Sequence, residues 1–239
     1  MKKIWILISC VIISWSASAQ KEFVVDANAE MRSIFGSFHS IKVSNAIDLY
    51  LSQSDQEAIA VSASEDKYKE GIKTVVEDHV LKIYYEGDKG WNTKNRNMKA
   101  YISFKELKWL QASGASDIHV QGTINVPELQ LNLSGASDFV GAVSVTSLTM
   151  NLSGASDVKI AGKATNLSIE SSGASDVKGY DLVADICTAK ASGASDINVT
   201  VNKEINAHAS GASSIHYKGD AVIKESQSNG ASSIGKRGS

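Results

Sequence analysis

Five aspartates recur at a nearly constant spacing in the second half of the chain, and each one closes the pentapeptide SGASD. If the repeats form neighbouring strands, the carboxylates lie roughly 5 Å apart, which is the distance between paired strands. Like charges this close repel one another, so calcium, which prefers clustered carboxylate oxygens, is one hypothesis for the row. The alternative is a solvated ladder whose carboxylates accept hydrogen bonds from backbone N–H groups in their own turns. The row consists of Asp117, Asp138, Asp157, Asp176 and Asp196.

A second group of candidate binding residues lies in the polar segment GDKGWNTKNRNMK at 87–99. It places Trp91 close to the cationic side chains of Lys94 and Arg96. An exposed tryptophan with polar neighbours can stack on the face of a sugar or anchor a protein partner. A loop whose indole folds back onto its own domain explains the same residues. The segment therefore predicts a ligand-binding loop, with a purely structural loop as the alternative.

The sequence lacks the common catalytic signatures, since GxSxG, HExxH, CxxC and the phosphate-binding glycine loop are all absent. Its five histidines do not pair at the spacing of metal ligands. Polysaccharide cleavage on the aspartate row needs chemically distinct partners, which a uniform row does not supply. We therefore expect no catalytic site, no firm metal site and no cofactor other than calcium, and keep a polysaccharide-active enzyme as an alternative.

The aspartates belong to a longer sequence repeat. Two related copies, SGASS at 210–214 and NGASS at 229–233, follow the five SGASD segments. Successive glycines are separated by 21, 19, 19, 20, 18 and 19 residues. Periods of this length are typical of stacked solenoid units. Glycine adopts positive φ without steric cost, so the repeat predicts one tight corner in each unit. The corner glycines are Gly114, Gly135, Gly154, Gly173, Gly193, Gly211 and Gly230.

Apolar and polar residues alternate strictly around each corner, which predicts strands. About 19 residues of extended chain span roughly 60 Å, enough for a coil that closes on itself in two or three short strands. We therefore predict an all-β fold: a single-stranded right-handed parallel β-helix with coils of about 19 residues. A left-handed helix and a β-roll are the alternatives. The inward positions include Leu129, Leu148, Leu167, Cys187 and Ile205 before the corner, and Ile118, Phe139, Val158, Val177, Ile197, Ile215 and Ile234 after it.

The first half of the chain lacks the pentapeptide but shows related patterns. SNAIDLYLSQ at 44–53 resembles the SGASDIHVQG repeat, with a small polar corner followed by alternating apolar residues. We predict a single β-helix domain over 20–239, with irregular first coils and a cap in 20–110 and regular coils in 111–239. The charged stretch 65–78 is expected to contain a short helix.

The N-terminal residues 1–19 predict a signal peptide. Lys2 and Lys3 precede a short apolar stretch that ends in the small residues ASA, so cleavage is expected before Gln20. The tetrapeptide LISC resembles a lipoprotein box, which makes a lipid on Cys10 the alternative. We therefore expect an exported protein in the periplasm, on the outer surface or outside the cell.

Removal of the signal peptide leaves 22 basic and 26 acidic residues and a formal charge of −4. This balance, without a basic run, argues against nucleic-acid binding. Cys187 is then the one remaining cysteine, so no internal disulfide is expected. No later apolar stretch is long enough to span a membrane, so the mature chain is expected to be soluble or peripheral.

Three segments together resemble a known family. They are FHSIKVSNAIDLYLSQSD at 38–55, VEDHVLKIYYEG at 76–87 and the serial SGASD coils. The sequence is similar, over about 30–239, to the putative auto-transporter adhesin head GIN domain family, also called DUF2807. The resemblance implies a right-handed parallel β-helix, an exported location and an adhesive role.

These observations together predict an exported, non-enzymatic β-helix protein that acts as an adhesin-like binding module at the bacterial cell envelope. The expected partner is a cell-surface glycan or a protein. A purely structural envelope protein, self-associating along its coils, is an alternative, and the polysaccharide-active enzyme is another.

Overall fold

The computed structural model describes residues 26–87 and 96–238, and the predicted signal peptide at 1–19 lies outside these ranges. Within them the chain forms seventeen strands and one short helix. The strands are β1 (Glu30–Arg32), β2 (Ser40–Val43), β3 (Ile47–Gln53), β4 (Ala58–Ser62), β5 (Ile72–Glu77), β6 (Val80–Tyr85), β7 (Met98–Phe104), β8 (Trp109–Ala112), β9 (Ile118–Asn125), β10 (Glu128–Leu133), β11 (Phe139–Leu152), β12 (Val158–Ser171), β13 (Asp176–Ala191), β14 (Asp196–Gly211), β15 (Ser214–Lys218), β16 (Val222–Gly230) and β17 (Ser233–Lys236), and the helix is α1 (Asp66–Gly71).

The second half of the chain is a regular stack of parallel strands. β10 pairs with β11, and β11 to β14 follow one another in parallel register. Each pairing matches a residue with its equivalent one coil later, as for Leu148 and Leu167. β14 then pairs with both β15 and β16, and β15 pairs with β17. The predicted all-β solenoid is confirmed, with about seven turns and coils of about 19 residues. Its right-handed winding stays a prediction.

The inward columns inferred from the alternation form one continuous apolar core. Phe139, Val158 and Val177, at the same position in successive coils, are fully buried. Cys187 also lies in this core, and burial raises the pKa of its thiol to about 12. A thiol in apolar surroundings stays protonated at neutral pH and packs as a small apolar side chain.

Each corner is held by hydrogen bonds between equivalent positions of neighbouring coils. The N–H of Ala155 donates to the carbonyl oxygen of Gly135 at 2.7 Å, and the same bond recurs along the stack. The second serine of the repeat is buried and satisfies polar groups inside the turn; the N–H of Ser156, for example, donates to Ser175 Oγ at 3.2 Å. All seven corner glycines have positive φ, between 77° and 85°.

The first coils do not stack in chain order. β2 pairs in parallel with both β6 and β8, and β3 pairs in parallel with both β7 and β9. The coil made of β2 and β3 therefore lies between the coil made of β6 and β7 and the coil made of β8 and β9. A hydrogen bond of 3.2 Å from the N–H of Ile47 to Ser116 Oγ continues the buried serine pattern into this coil. The first half thus supplies coils in register with the regular ones.

Antiparallel strands cover the end of the solenoid at β6 and β7. β5 runs antiparallel to β6, β4 runs antiparallel to β7, and β1 runs antiparallel to β4. Covered edges prevent uncontrolled pairing with other chains. The charged stretch 65–78 contains α1, but its second part forms β5. Within the described ranges, no helix combines the length and the apolar character needed to cross a bilayer.

The opposite end of the solenoid closes with a coil in which serines occupy two inward positions, beside the apolar Ile223 and Ile234. Ser226 and Ser228 of β16 take the places that Ala207 and Ala209 hold one coil earlier. All residues of β16 are exposed. Terminal repeats with a polar outer side keep solenoids soluble, so these serines let water cover the end of the core.

Candidate functional site

The repeated aspartates lie in one row on the face that follows the corner. The N–H of Asp157 donates to Asp138 Oδ1 at 3.1 Å, so this carboxylate accepts a bond from the backbone of the next coil. Lys178 Nζ donates to Asp157 Oδ2 at 3.1 Å, and this contact raises the pKa of the lysine. At the end of the row the hydroxyl of Ser214 donates to Asp196 Oδ1. A backbone donor, a lysine and a hydroxyl thus offset the repulsion between the carboxylates.

One further aspartate, which was not among those predicted, extends the row. The N–H of Asp117 donates to Asp48 Oδ1 at 3.3 Å, which places Asp48 one coil earlier in the row. Burial raises the pKa of Asp48, and the negative charge of Asp117 adds to this effect. The sequence contains the pattern that identifies Asp48, because SNAID at 44–48 aligns with SGASD and puts Asp48 at the aspartate position.

The aspartate row spreads its carboxylates along the solenoid, one to a coil. In the part of the chain that the structure describes, no group of three or more histidine, cysteine, aspartate or glutamate side chains is arranged to hold a metal ion. Each coil supplies a single carboxylate, and calcium takes six to eight oxygen ligands. Calcium binding by the row therefore stays a prediction.

Next to the aspartate row runs an outward row that begins with three stacked rings. Tyr50 lies between Tyr101 and His119, with ring centroids 5.1 Å apart on both sides. Val140 and Lys159 continue this row in the next coils. Because the three rings stack on one another, much of their surface is buried between them, and this packing stabilises the first coils.

The candidate binding loop lies largely beyond the described residues. Trp91 and Lys94 fall outside them, so their role in ligand binding stays a prediction. Arg96 is described, and its guanidinium carbon lies 4.6 Å from the ring centroid of Tyr85 and 5.3 Å from that of Tyr68. Arg96 therefore joins α1 to β6 through two cation–π contacts.

A groove of about 720 Å³ lies on the face that precedes the corner. It crosses seven coils and is lined by two rows of polar residues. One row, which we call the polar row, stands three positions before each corner glycine, and the other, the serine row, stands one position before it. The polar row is Gln111, Asn132, Asn151, Glu170, Lys190, His208 and Gln227, and the serine row is Ser134, Ser153, Ser172, Ser192 and Ser210.

Both rows project outward because the residue between them points into the core. Leu133 and Leu152, which lie between the rows, are only 2% and 3% exposed. The polar row is in parallel register along the whole groove. The alternation predicts that these residues face outward, but it carries no information on the concavity of the surface there.

The charges in the groove neutralise each other. Lys190 Nζ donates to Glu170 Oε1 at 2.8 Å, and both side chains are more than half exposed. The side-chain amides of Asn132 and Asn151 approach each other to 2.9 Å. The groove is thus a row of amides and hydroxyls with one compensated ion pair, which suits a ligand that exchanges many hydrogen bonds and carries little charge.

An indole adjoins the groove at the end nearer the cap. Trp109 is half-buried on β8, and its indole nitrogen lies 2.7 Å from the side-chain amide of Asn132, which accepts the indole N–H when its oxygen faces the ring. This bond fixes the ring beside the polar row. The polar loop made Trp91 the predicted binding tryptophan. The position of Trp109 on an alternating strand gives no sign of a nearby groove.

Comparisons with known proteins agree with this architecture. A family described as putative auto-transporter adhesin, head GIN domain, matches residues 37–221. The crystal structure of a putative adhesin from Bacteroides fragilis NCTC 9343 is similar over 87% of this chain and 96% of that chain, with 25% identity and a TM-score of 0.74.

Two structures from Parabacteroides distasonis ATCC 8503 share the fold. One, named a putative lipid binding protein, is 23% identical, with a TM-score of 0.63 over 89% of this chain and 98% of its own. The other, a putative adhesin, is 18% identical, with a TM-score of 0.67 over 88% and 98%. No curated protein matches the chain. Since the family match covers most of its length, the chain belongs to the putative auto-transporter adhesin, head GIN domain, family.

Proposed function

We propose that the mature chain is an exported, non-enzymatic adhesin that binds its partner at the bacterial cell envelope through the groove. The observation that carries this proposal is a groove along which two rows of polar side chains run across seven coils, with Leu133, Leu152, Ala191 and Ala209 between them. Four of the seven polar-row residues are amides, the serine row repeats one hydroxyl, and Glu170 pairs with Lys190, whereas catalysis needs a distinct acid, base or nucleophile that is free to act at one defined place. The adhesin description of the family supports the same function.

The binding surface is tested by blocking the groove. Ser153→Tyr places a large ring in the middle of the groove, at an exposed position whose hydroxyl makes only a long contact of 3.5 Å with the carbonyl oxygen of Leu133. Thr146→Tyr is the matched control, because Thr146 is exposed in the same coil and does not line the groove. Purified 20–239 and both variants are screened on a glycan array and a panel of surface proteins, with calcium and with a chelator.

We expect binding that Ser153→Tyr abolishes and Thr146→Tyr leaves unchanged, at equal melting temperatures. Binding that appears only with calcium would assign recognition to the aspartate row instead. Equal binding by both variants would contradict the groove as the binding surface. Turnover of a polysaccharide on the array would contradict the non-enzymatic part of the proposal.

Export is tested on the full-length protein expressed in a bacterium. We expect cleavage between Ala19 and Gln20. The intact mass of the protein recovered from the envelope fraction or the medium measures this directly. A lipid on Cys10 would add a characteristic mass, and an uncleaved N-terminus in the cytoplasmic fraction would overturn the proposal of export.

A further inference from the structure

We infer that the ligand of the groove is an uncharged glycan chain that lies lengthwise, parallel to the axis of the solenoid. This inference rests on the proposed function, since it names the ligand class for the same groove. Three properties of the groove support it: the chemistry of the rows, their length and repeat, and the indole at one end.

The first property is the match in hydrogen bonding and charge. The polar and serine rows offer donors and acceptors in nearly every coil, and their one strong ion pair, between Glu170 and Lys190, compensates itself. A glycan without charged groups offers hydroxyls that both donate and accept, so it can bond to amides and serines without an unpaired charge. An anionic polymer would need a row of cations, and Lys190 is already paired.

The second property is the repeat. Seven residues of the polar row, one in each coil, are separated by six steps, so the row is roughly 29 Å long at the usual strand spacing. One step is close to the length of one pyranose residue in an extended glycan. A chain that lies along the row therefore presents equivalent groups to successive coils, and each added sugar gains a similar set of contacts.

The third property is the position of Trp109. Its indole is fixed beside the polar row by the hydrogen bond to Asn132. Sugar rings stack on indole faces through their C–H groups, so Trp109 is suited to hold one end of the chain. Leu133 and Leu152 line the groove between the rows but are only 2% and 3% exposed, so they offer an apolar peptide little surface.

A peptide that adds as a strand is also unsuited to this site. Strand addition needs unpaired backbone N–H and C=O groups at the edge of a sheet. The groove lies on the face of the sheet, where β10 to β14 are already paired on both sides within the stack. Side chains alone are therefore available to the ligand.

The inference is tested by titrating purified 20–239 with uncharged oligosaccharides of increasing length. The series are β-1,4-linked glucose, xylose and mannose and α-1,4-linked glucose, from the disaccharide to about the octasaccharide, which exceeds the six steps of the row. Calorimetry gives the affinity. In a Trp91→Phe background Trp109 is the one tryptophan left in the mature chain, so its fluorescence reports binding at the groove.

We expect the affinity for one of these series to rise with length and to level off at about six sugars, one for each step. Asn151→Ala should weaken binding of the long chain about tenfold, the equivalent of one or two hydrogen bonds. Lys159→Ala, an exposed residue one coil later that lies outside the groove, should leave binding unchanged. Melting temperatures confirm that each variant is folded, and Ser153→Tyr provides an independent block.

The other outcomes separate the two proposals. Binding of hyaluronan, alginate or a protein that Ser153→Tyr abolishes, without binding of any uncharged series, overturns the inference and leaves the proposed function standing. Affinity that does not change beyond the disaccharide overturns the lengthwise arrangement. Absence of binding to every probe on the arrays overturns both.

Discussion

The corner glycines are required for two independent reasons, and the structure separates them. Their φ values between 77° and 85° are strained for any residue with a Cβ atom. In the regular coils a Cβ atom would also collide with the preceding corner: at Gly154 it would lie 2.4 Å from the carbonyl oxygen of Gly135. At Gly114 the nearest atom, the backbone nitrogen of Asn45, is 3.5 Å away, an ordinary contact. At the first corner, the positive φ is therefore the one reason that glycine is required.

This difference predicts unequal effects of the same substitution. Gly114→Ala should cost about 1 kcal/mol, from the strained φ. Gly154→Ala should cost about 3 kcal/mol or more, because the clash with backbone adds to the strain. Urea unfolding of purified 20–239 and of the two variants measures both values. Equal losses would contradict the stacking of glycine on glycine as a separate constraint.

Asp48 gives a pH-dependent prediction. Because its pKa is raised in the folded protein, first by burial and then by the charge of Asp117, the folded state favours the protonated form. Its contribution to stability is therefore full below the pKa of the unfolded chain and is lost as the pH rises through the pKa of the folded state. Asp48→Asn should stabilise the protein at neutral pH, since its side-chain oxygen can still accept the N–H of Asp117.

The comparison is made by thermal unfolding at several pH values. The gain from Asp48→Asn should disappear in acid, where Asp48 of the unsubstituted protein is protonated. Asp138→Asn, at an exposed position of the same row whose Oδ1 also accepts a backbone N–H, is the control and should show a smaller gain. A gain from Asp48→Asn that is the same at all pH values would contradict the role of its charge.

The two ends of the solenoid are closed by different structural elements. The first end is covered by the antiparallel strands β1, β4 and β5. The last coil has no such cover among the described residues and carries Ser226 and Ser228 at inward positions. The two serines disfavour stacking of a second molecule on their part of the end, whereas the inward Ile223, which is 46% exposed, leaves an apolar side chain there.

The effect of the two serines on stacking can be tested by replacing them with apolar residues. The double variant Ser226→Val and Ser228→Val extends the inward column and exposes it at the end of the stack. We expect it to form concentration-dependent oligomers in sedimentation velocity experiments, whereas the unsubstituted 20–239 stays monomeric. Gln227→Val, at the outward position between them, is the control. Association of the unsubstituted protein to the same extent would show that the serines do not prevent stacking.

At the scale of the whole molecule, the repeat alone predicted the solenoid, the inward columns and the corner positions. The period-two alternation determines these three features. A buried position in one coil requires a buried position in the next, as at Phe139 and Val158. The groove could not be predicted in this way, because concavity depends on how neighbouring faces meet. Nor could the order of the first coils, because the pairing of β2 with β6 and β8 joins segments far apart in the sequence.

The displaced order of the first coils has a consequence for how the protein folds as it is made. A chain that emerges N-terminus first presents β2 and β3 early, yet both neighbours of this coil arrive later, and the bond from Ile47 to Ser116 spans 69 residues. Closing so long a loop is slower than closing a coil of about 19 residues. Each later coil then closes over about 19 residues on a surface that already exists. Folding should therefore show one slow nucleation step, complete once β9 is available, followed by rapid addition of coils towards the C-terminus.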